Sequence, residues 1–279
     1  MPGTLYVLGT PIGNISDITL RALDILGEVD FIAAEDTRVT LKLLNRYDIK
    51  KPLVSYHDHS SRSCAETIIK RLIEGETAAI VTDAGMPCIS DPGEDLVKMC
   101  YENDVPVKVI PGPSAVVSAL AVSGLSTSRF SFEGFLSVTR KQRMEHLEEV
   151  KDNKNTMIFY EAPHKLVSTL EDMLEYFGDR RISLCRELTK VFEEVIRTTI
   201  SGAIEYYADR SPKGEYVLVI EGKPESDEPE CTIELALDMV RKMVDEGEKT
   251  INACKKVAKE TGYKKSELYQ MINAEKDSD

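Results

Sequence analysis

Chemistry-bearing residues cluster in five short segments of the first 115 positions: Thr10-Pro11-Ile12-Gly13-Asn14, Glu35-Asp36-Thr37-Arg38, Ser55-Tyr56-His57-Asp58-His59, Thr82 through Gly93, and Pro111-Gly112-Pro113-Ser114-Ala115. Each is rich in Gly, Pro, Asp or Ser, in a region that is otherwise aliphatic. Any one of them reads as ordinary turn chemistry; five in sequence suggest a shared site. Prolines 11, 87, 92, 111 and 113 fix φ and remove backbone donors, so these loops are stiff and offer few amides to a phosphate. Such a surface suits a neutral or cationic ligand with an adenosine and an amino-acid moiety. No G-x-G-x-x-G follows the first apolar run, and no G-x-x-x-x-G-K-[ST] occurs, which disfavours a nicotinamide site and a P-loop.

Several side chains are candidates for proton transfer: Glu35, Asp36, Asp91, Glu161 and His164. Glu161 serves equally well as a helix-start charge before Pro163. His164 reads better as a surface or capping histidine. Asp36-Thr37-Arg38 fits either a cleft-edge group or an ion pair pinning its loop, with the cleft position favoured. His57-Asp58-His59 lacks a third metal ligand at a recognisable spacing and reads as a solvated loop. The six cysteines show no C-x(2–4)-C spacing, so neither a zinc site nor a disulfide framework is expected.

Positioning those loops requires alternating strands and helices. Leu5–Leu8, Val29–Ala34, Leu53–Ser55, Thr77–Val81 and Val105–Ile110 are short apolar runs, and helical spacing separates them. The first helix, burying Ile18, Ala22, Leu23 and Leu26, is expected to be capped by Ser16 or Asp17. This alternation predicts an α/β fold with a mostly parallel sheet covered on both faces, its ligand beyond the carboxyl ends of the strands. Past Gly124 the pattern changes. Strands near Phe130–Phe132, Met157–Tyr160, Ile182–Arg186, Glu194–Thr199 and Tyr216–Glu221 predict a second, mixed sheet. The reading is a cofactor-binding domain over 1–125, a mixed α/β domain over 126–222 with the cleft between them, a polar linker with two prolines, and a small helical domain over 231–279. In this tail, Ile251, Cys254, Val257 and Ala258 form one stripe and Leu268, Met271 and Ile272 another, either side of Gly262. That is helix-turn-helix-like spacing, and a plain helical hairpin fits it as well.

The chain has 279 residues and a net charge of −13, a balance that argues mildly against a nucleic-acid partner. The charge is uneven: residues 249–265 carry six Lys against one Glu. Arg186-Glu187-Leu188-Thr189-Lys190 and Arg140-Lys141-Gln142-Arg143 are further basic groups, and a solvated charged face is the usual fate of such runs. No stretch approaches a membrane span, and the N-terminus shows no secretory signal; a cytoplasmic protein is expected.

The run LYVLGTPIGNISDITLRAL, followed by IAAEDTR, VTDAGMPCISDPG and VIPGPSA, resembles the N-terminal half of the tetrapyrrole-methylase-like (class III) S-adenosylmethionine methyltransferases. TPIGN, AAEDTR, SDPG, FYEAPHK and RELTK together resemble the branch that 2′-O-methylates a cytidine ribose of 16S ribosomal RNA. The resemblance covers about residues 1–222. It implies S-adenosyl-L-methionine as cofactor, the small ribosomal subunit as partner, a homodimer and no metal. It also implies a cofactor site built from Leu8, Pro11, Asp83, Gly85, Met86, Ile89, Ser114, Ala115 and, from the second domain, Ala162. Met86 stands where the branch often has a smaller or hydroxyl residue, a change expected to alter pocket shape and spare binding. Glu35, Asp36, Arg38 and Glu161 are the expected catalytic groups. Arg186 and Lys190, joined by Lys255 and Lys256 of the tail, are the expected RNA contacts. Two alternatives stand beside this reading. One is a methyltransferase of the same fold acting on a tetrapyrrole, a corrin or a protein histidine derivative, although the corrin branch's G-x-G-x-G-D is absent. The other is a non-catalytic RNA-binding assembly factor.

Overall fold

The computed structural model describes residues 1–57, 62–224 and 232–276. Asp58, His59, Cys231 and most of the expected linker lie outside them. The chain divides into two compact units, Met1–Lys223 and Pro224–Asp279.

The first unit contains two five-stranded sheets. Sheet one comprises β1 (Leu5–Leu8), β2 (Phe31–Ala34), β3 (Leu53–Ser55), β4 (Ala78–Val81) and β5 (Val107–Ile110), in the order β3-β2-β4-β1-β5 and parallel throughout. Because side chains alternate along a strand, β2 and β4 feed two cores. Phe31, Ala33, Ala78 and Ile80 pack on α3 (Arg62–Ile73) and α4 (Glu94–Glu102). Ile32, Ala34, Ala79 and Val81 pack on α1 (Leu20–Glu28) and α2 (Thr37–Arg46). Burial on both faces explains why these strands read as unbroken apolar runs.

One cap differs from expectation. Ser16 and Asp17 lie in a short 3₁₀ turn, Ile15–Asp17, which Asn14 caps. The helix itself starts later, where Thr19 Oγ1 accepts the Ala22 N–H at 3.1 Å. A hydroxyl three residues before a free helical N–H satisfies a donor that Ser16 is too early to reach.

Sheet two comprises β6 (Phe130–Phe135), β7 (Thr156–Glu161), β8 (Arg181–Arg186), β9 (Glu194–Thr199) and β10 (Tyr216–Ile220), in the order β6-β7-β10-β8-β9. The β6–β7 pair is parallel and the other pairs are antiparallel. One face is covered by α6 (Arg140–Val150), α7 (Leu166–Phe177) and α8 (Ile200–Tyr206). The opposite face packs Ile158, Cys185, Val217 and Val219 against Val116, Ala119 and Leu120 of α5 (Ala115–Ser123). So α5, begun by the last loop of sheet one, is a layer of sheet two. Arg197 ties its end by donating to the carbonyls of Ser123 (3.2 Å) and Val122 (2.5 Å). The largely apolar sequence of α5, AVVSALAVS, buries Val116, Ala119, Leu120 and Ser123, while Val117 and Val122 stay exposed.

Within the second unit, α9 (Ile233–Asp245), α10 (Thr250–Thr261) and α11 (Lys265–Lys276) share a core of Ala236, Leu237, Val240, Ala253, Cys254, Val257, Leu268 and Ile272. Gly262 ends α10 at φ +80. The expected stripes are corrected at two positions, since Ile251 and Met271 are exposed. A third helix, α9, covers the core from another side; Cys254 and Val257 stay buried as expected, and Ala253 joins them in place of Ile251.

Candidate active site

The loops after β1, β2, β4 and β5 converge at the carboxyl edge of sheet one, while residues 55–57 of the segment after β3 line neither of the two hollows there. Thr10 and Gly85 exchange backbone hydrogen bonds (2.9 and 3.2 Å), zipping the first loop to the fourth. Gly9 and Gly112 meet back to back: a Cβ on Gly112 would lie 2.8 Å from the Gly9 carbonyl oxygen, and one on Gly9 only 2.6 Å from Met86 Sδ. Only glycine allows this approach.

Between these loops and sheet two lies a hollow of about 470 Å³. Gly85, Met86, Ile89, Ser114 and Ala115 form one wall; Tyr160, Glu161, Ala162, Cys185, Tyr216 and Val217 form the other. A second hollow, about 370 Å³, is bounded by Pro11, Gly13, Thr40, Lys42, Thr82 and Asp83. The two adjoin, because Ile12, Ala84, Lys190 and Glu215 line both.

The second hollow is acidic at its base. Glu35 Oε2 accepts the Thr82 hydroxyl (2.5 Å) and the Asp83 N–H (3.2 Å), and Asp83 Oδ1 accepts the Asp36 N–H (3.1 Å). Burial, then the neighbouring Glu35 charge, raises the Asp83 carboxyl above its ordinary range. Asp36 goes the other way. Its carboxylate takes the Arg38 guanidinium (2.5 Å at Nη2) and the Arg38 N–H (2.8 Å), and caps α2. These bonds hold it at about 2.

The expected residues thus fall into groups. Gly85, Met86, Ile89, Ser114, Ala115, Glu161 and Ala162 share the larger hollow, Pro11 and Asp83 the smaller, and Lys190 borders both. Leu8 is fully buried in the α1–α2 core and Glu35 supports Asp83 from behind. Asp36 and Arg38 pair with each other at the start of α2. Glu161 is buried; it accepts the Thr169 hydroxyl (2.6 Å) and the Ala162 N–H (2.8 Å) and pairs with Lys165 at 3.1 Å. Arg186 pairs with Glu194 at 2.7 Å. Lys190 pairs with Glu187 (2.8 Å) and Glu215 (2.7 Å). In the separate helical unit Lys255 is exposed and Lys256 pairs with Glu248. His164 is exposed, and Asp91 borders the larger hollow.

Sequence reasoning passed over Tyr160, Cys185, Tyr216 and Val217, which build the far wall, and Phe135, which stands exposed at its outer rim. They sit on strands whose apolar character is explained by the core, so nothing in spacing separates a wall from an interior. Among the described residues no group of three or more His, Cys, Asp or Glu could hold a metal ion, and no helix is long and apolar enough to cross a membrane.

Residues 4–204 match the model of the Tetrapyrrole (Corrin/Porphyrin) Methylases. The chain belongs to the tetrapyrrole methylase family. Among members of the tetrapyrrole methylase family with curated names, it is 47% identical to "Ribosomal RNA small subunit methyltransferase I" of Halalkalibacterium halodurans, over 98% of this chain and 96% of that one. The protein of the same name from Synechocystis sp. is 43% identical over 96% and 97% of the two chains. That of Thermotoga maritima is 48% identical over 221 residues, 79% of this chain but 99% of its own length. This relative is therefore shorter by about the size of the Pro224–Asp279 unit. Solved tetrapyrrole methylase structures share the fold. A uroporphyrin-III-C-methyltransferase from Thermus thermophilus aligns with TM-score 0.56 at 19% identity, over 79% of this chain and 94% of that one. A cobalt precorrin-4 methyltransferase aligns with TM-score 0.57 at 17% identity, over 78% and 94%.

Proposed function

We propose that the protein is an S-adenosylmethionine-dependent methyltransferase that 2′-O-methylates a cytidine ribose of 16S ribosomal RNA in the small subunit. The observation that carries this reading is the pair of adjoining hollows, one largely apolar and one with a carboxylate pair at its base, in a chain 47% identical to a protein named for small-subunit ribosomal RNA methylation.

The residues present fit the donor. A nucleoside asks for apolar and aromatic walls with a few polar groups, and the larger hollow has these. A sulfonium and an ammonium ask for negative charge, which Asp83 and Glu35 supply at the smaller one. A polyphosphate would find little here: the amides of Thr10, Gly85 and Cys88 are taken by backbone carbonyls, and the flanking carboxylates repel it.

S-adenosylmethionine supplies an electrophilic methyl whose leaving group is neutral, so no acid is needed. Pro11, Gly85, Met86, Ile89, Ser114, Ala115 and Ala162 bind and orient, with Leu8 packed behind them and the halves 1–125 and 126–222 on either side. Orientation is the larger part of such catalysis, since the displacement is in line. A base acting on the ribose hydroxyl adds about 10²–10⁴-fold. Of the expected catalytic groups, Glu35 suits that role best: it is only partly buried behind Asp83, and only one of its oxygens is engaged among the described residues. Asp36 is too weak a base when held by Arg38, and Glu161 is sealed by Lys165 and Thr169. Arg38 acts by holding Asp36. Arg186 and Lys190 shape the cleft through their ion pairs, and Lys255 and Lys256 of the helical unit, residues 231–279, steer RNA. A cytoplasmic homodimer completes the reading.

The test is incubation of the protein with labelled S-adenosylmethionine and small-subunit particles from cells lacking it, then mapping of ribose methylation. Label on a 2′-O-methylcytidine of 16S RNA supports the proposal. Label on a porphyrinoid or a protein, with none on the particle, overturns it.

A further inference from the structure

The β6–α6 turn carries features that the proposed site leaves unused. Phe135 borders the larger hollow and is 56% exposed. It is held in place from behind: its ring lies 5.3 Å from that of Tyr160, which in turn stands edge-on to Phe132 at 4.9 Å. The next residues alternate between anchor and display. Leu136 is buried, Val138 is 76% exposed, and Arg140 and Lys141 are exposed. Arg143 turns inward to pair with buried Asp172 at 2.6 Å and reaches the Ser137 carbonyl at 3.4 Å. Ser137 Oγ accepts the Thr139 N–H at 3.2 Å. The turn is therefore braced, and its outward residues are an aromatic, an aliphatic and two cations. Among the described residues the Arg140 side chain has no ion-pair or hydrogen-bond partner, and Lys141 reaches Glu145 only at 3.8 Å. Cations at the start of a helix work against its dipole, so they are not there for the stability of α6.

We infer that this turn is the RNA-reading rim of the cleft: Phe135 stacks on an unpaired base next to the target ribose while Arg140 meets a neighbouring phosphate. The inference rests on the proposed function, since it takes RNA as the occupant. Single-stranded RNA is read by bases splayed out onto aromatic side chains, with Arg or Lys along the backbone; an exposed ring and, on the same turn, a guanidinium with no partner among the described residues offer the same pairing. A second copy of this chain is the less suited occupant, because its surface would have to bury Arg140 with a matching acid.

The experiment compares the full chain with Phe135→Leu, Phe135→Tyr and Arg140→Glu, using small-subunit particles from cells lacking the protein. Particle affinity is read by filter binding at several salt concentrations. S-adenosylhomocysteine affinity is read by calorimetry, and oligomeric state by light scattering. Phe135→Leu is expected to weaken particle binding roughly 5- to 150-fold, the span of one stacked base, with the other two readouts unchanged; Phe135→Tyr is expected to restore it. Arg140→Glu, at an exposed position that leaves folding intact, is expected to flatten the salt dependence by about one phosphate contact. Unchanged particle affinity for Phe135→Leu and Arg140→Glu overturns the inference while the proposed function stands. An equal loss of S-adenosylhomocysteine affinity assigns Phe135 to the donor and overturns it. A change of oligomeric state assigns the turn to self-association and overturns it. If the unsubstituted chain fails to bind the particles, the proposed function falls first and the inference with it.

Discussion

Asp83 accepts the backbone N–H of Asp36 at 3.1 Å, so the loops after β2 and β4 are joined through a carboxylate that faces the smaller hollow. Burial and the Glu35 charge already raise its pKa, and an added cation would relieve that repulsion. Asp83→Ala is expected to weaken S-adenosylmethionine binding by about 1.5–3 kcal/mol, the scale of a hydrogen bond to a charged group. Calorimetry checks this, and an unchanged affinity would remove Asp83 from the donor site.

The same carboxyl sets a pH dependence. Its folded pKa is raised, and the bound cation prefers the ionised form. Affinity should therefore hold at neutral pH and fall as acid is added through the raised value, earlier than an ordinary aspartate would allow. Calorimetry between neutral and mildly acidic pH reads it, and an Asp83→Asn variant should flatten the fall.

Asp36 contributes to stability with the opposite sign. Its folded pKa is lowered to about 2 from an ordinary value of 3.8, so its contribution is complete above the ordinary value and lost as pH falls from there towards 2. Asp36→Asn should lower neutral-pH stability only slightly, because the Arg38 partner is exposed to screening and Asn also caps helices. The difference in melting temperature between the two proteins should vanish near the acid limit.

Glu161 tests structure against chemistry. Removing its carboxylate strands Lys165, which is 17% exposed, and the Thr169 hydroxyl. Glu161→Ala is expected to destabilise the fold by about 3 kcal/mol; urea unfolding measures it. A full-stability Glu161→Ala with a lost acidic limb in its pH–rate profile would instead make Glu161 the base.

Gly9→Ala should destabilise by about 1–3 kcal/mol through overpacking. Adding Met86→Thr removes the sulfur 2.6 Å from the new Cβ and leaves the Gly112 Cα at 2.8 Å, so the pair should be rescued only in part. Thermal melts of the single and double variants decide.

The Met1–Lys223 unit is compact by itself, and the Thermotoga maritima relative is shorter by about the remainder. A chain ending at Lys223 is expected to fold cooperatively and keep its S-adenosylhomocysteine affinity within about twofold, an effect under 0.5 kcal/mol. Calorimetry on the truncated chain checks this.

Local sequence alone determined the strands, the two-sheet class and which loops gather at one edge. Strand runs such as FIAA and AAIV have both faces buried, and Gly9, Gly85 and Gly112 meet conformational and steric demands that few other residues satisfy. Its motifs also marked Met86, Ser114 and Ala162 as walls of one hollow. Tertiary structure decided what each polar group is free to do. Asp36 and Asp83 look alike in a string of letters, yet one faces Arg38 and the other faces Glu35, and their pKa values move in opposite directions. Glu161 at a strand end looks available until Lys165 and Thr169 close over it. Phe135 lies just past an expected strand and draws no notice in the sequence, yet its ring is half in water. Which of its possible partners a charge takes, and which rings face solvent, depends on how loops and strands pack: Asp83 meets Glu35 from 48 positions away, and periodicity carries no record of that.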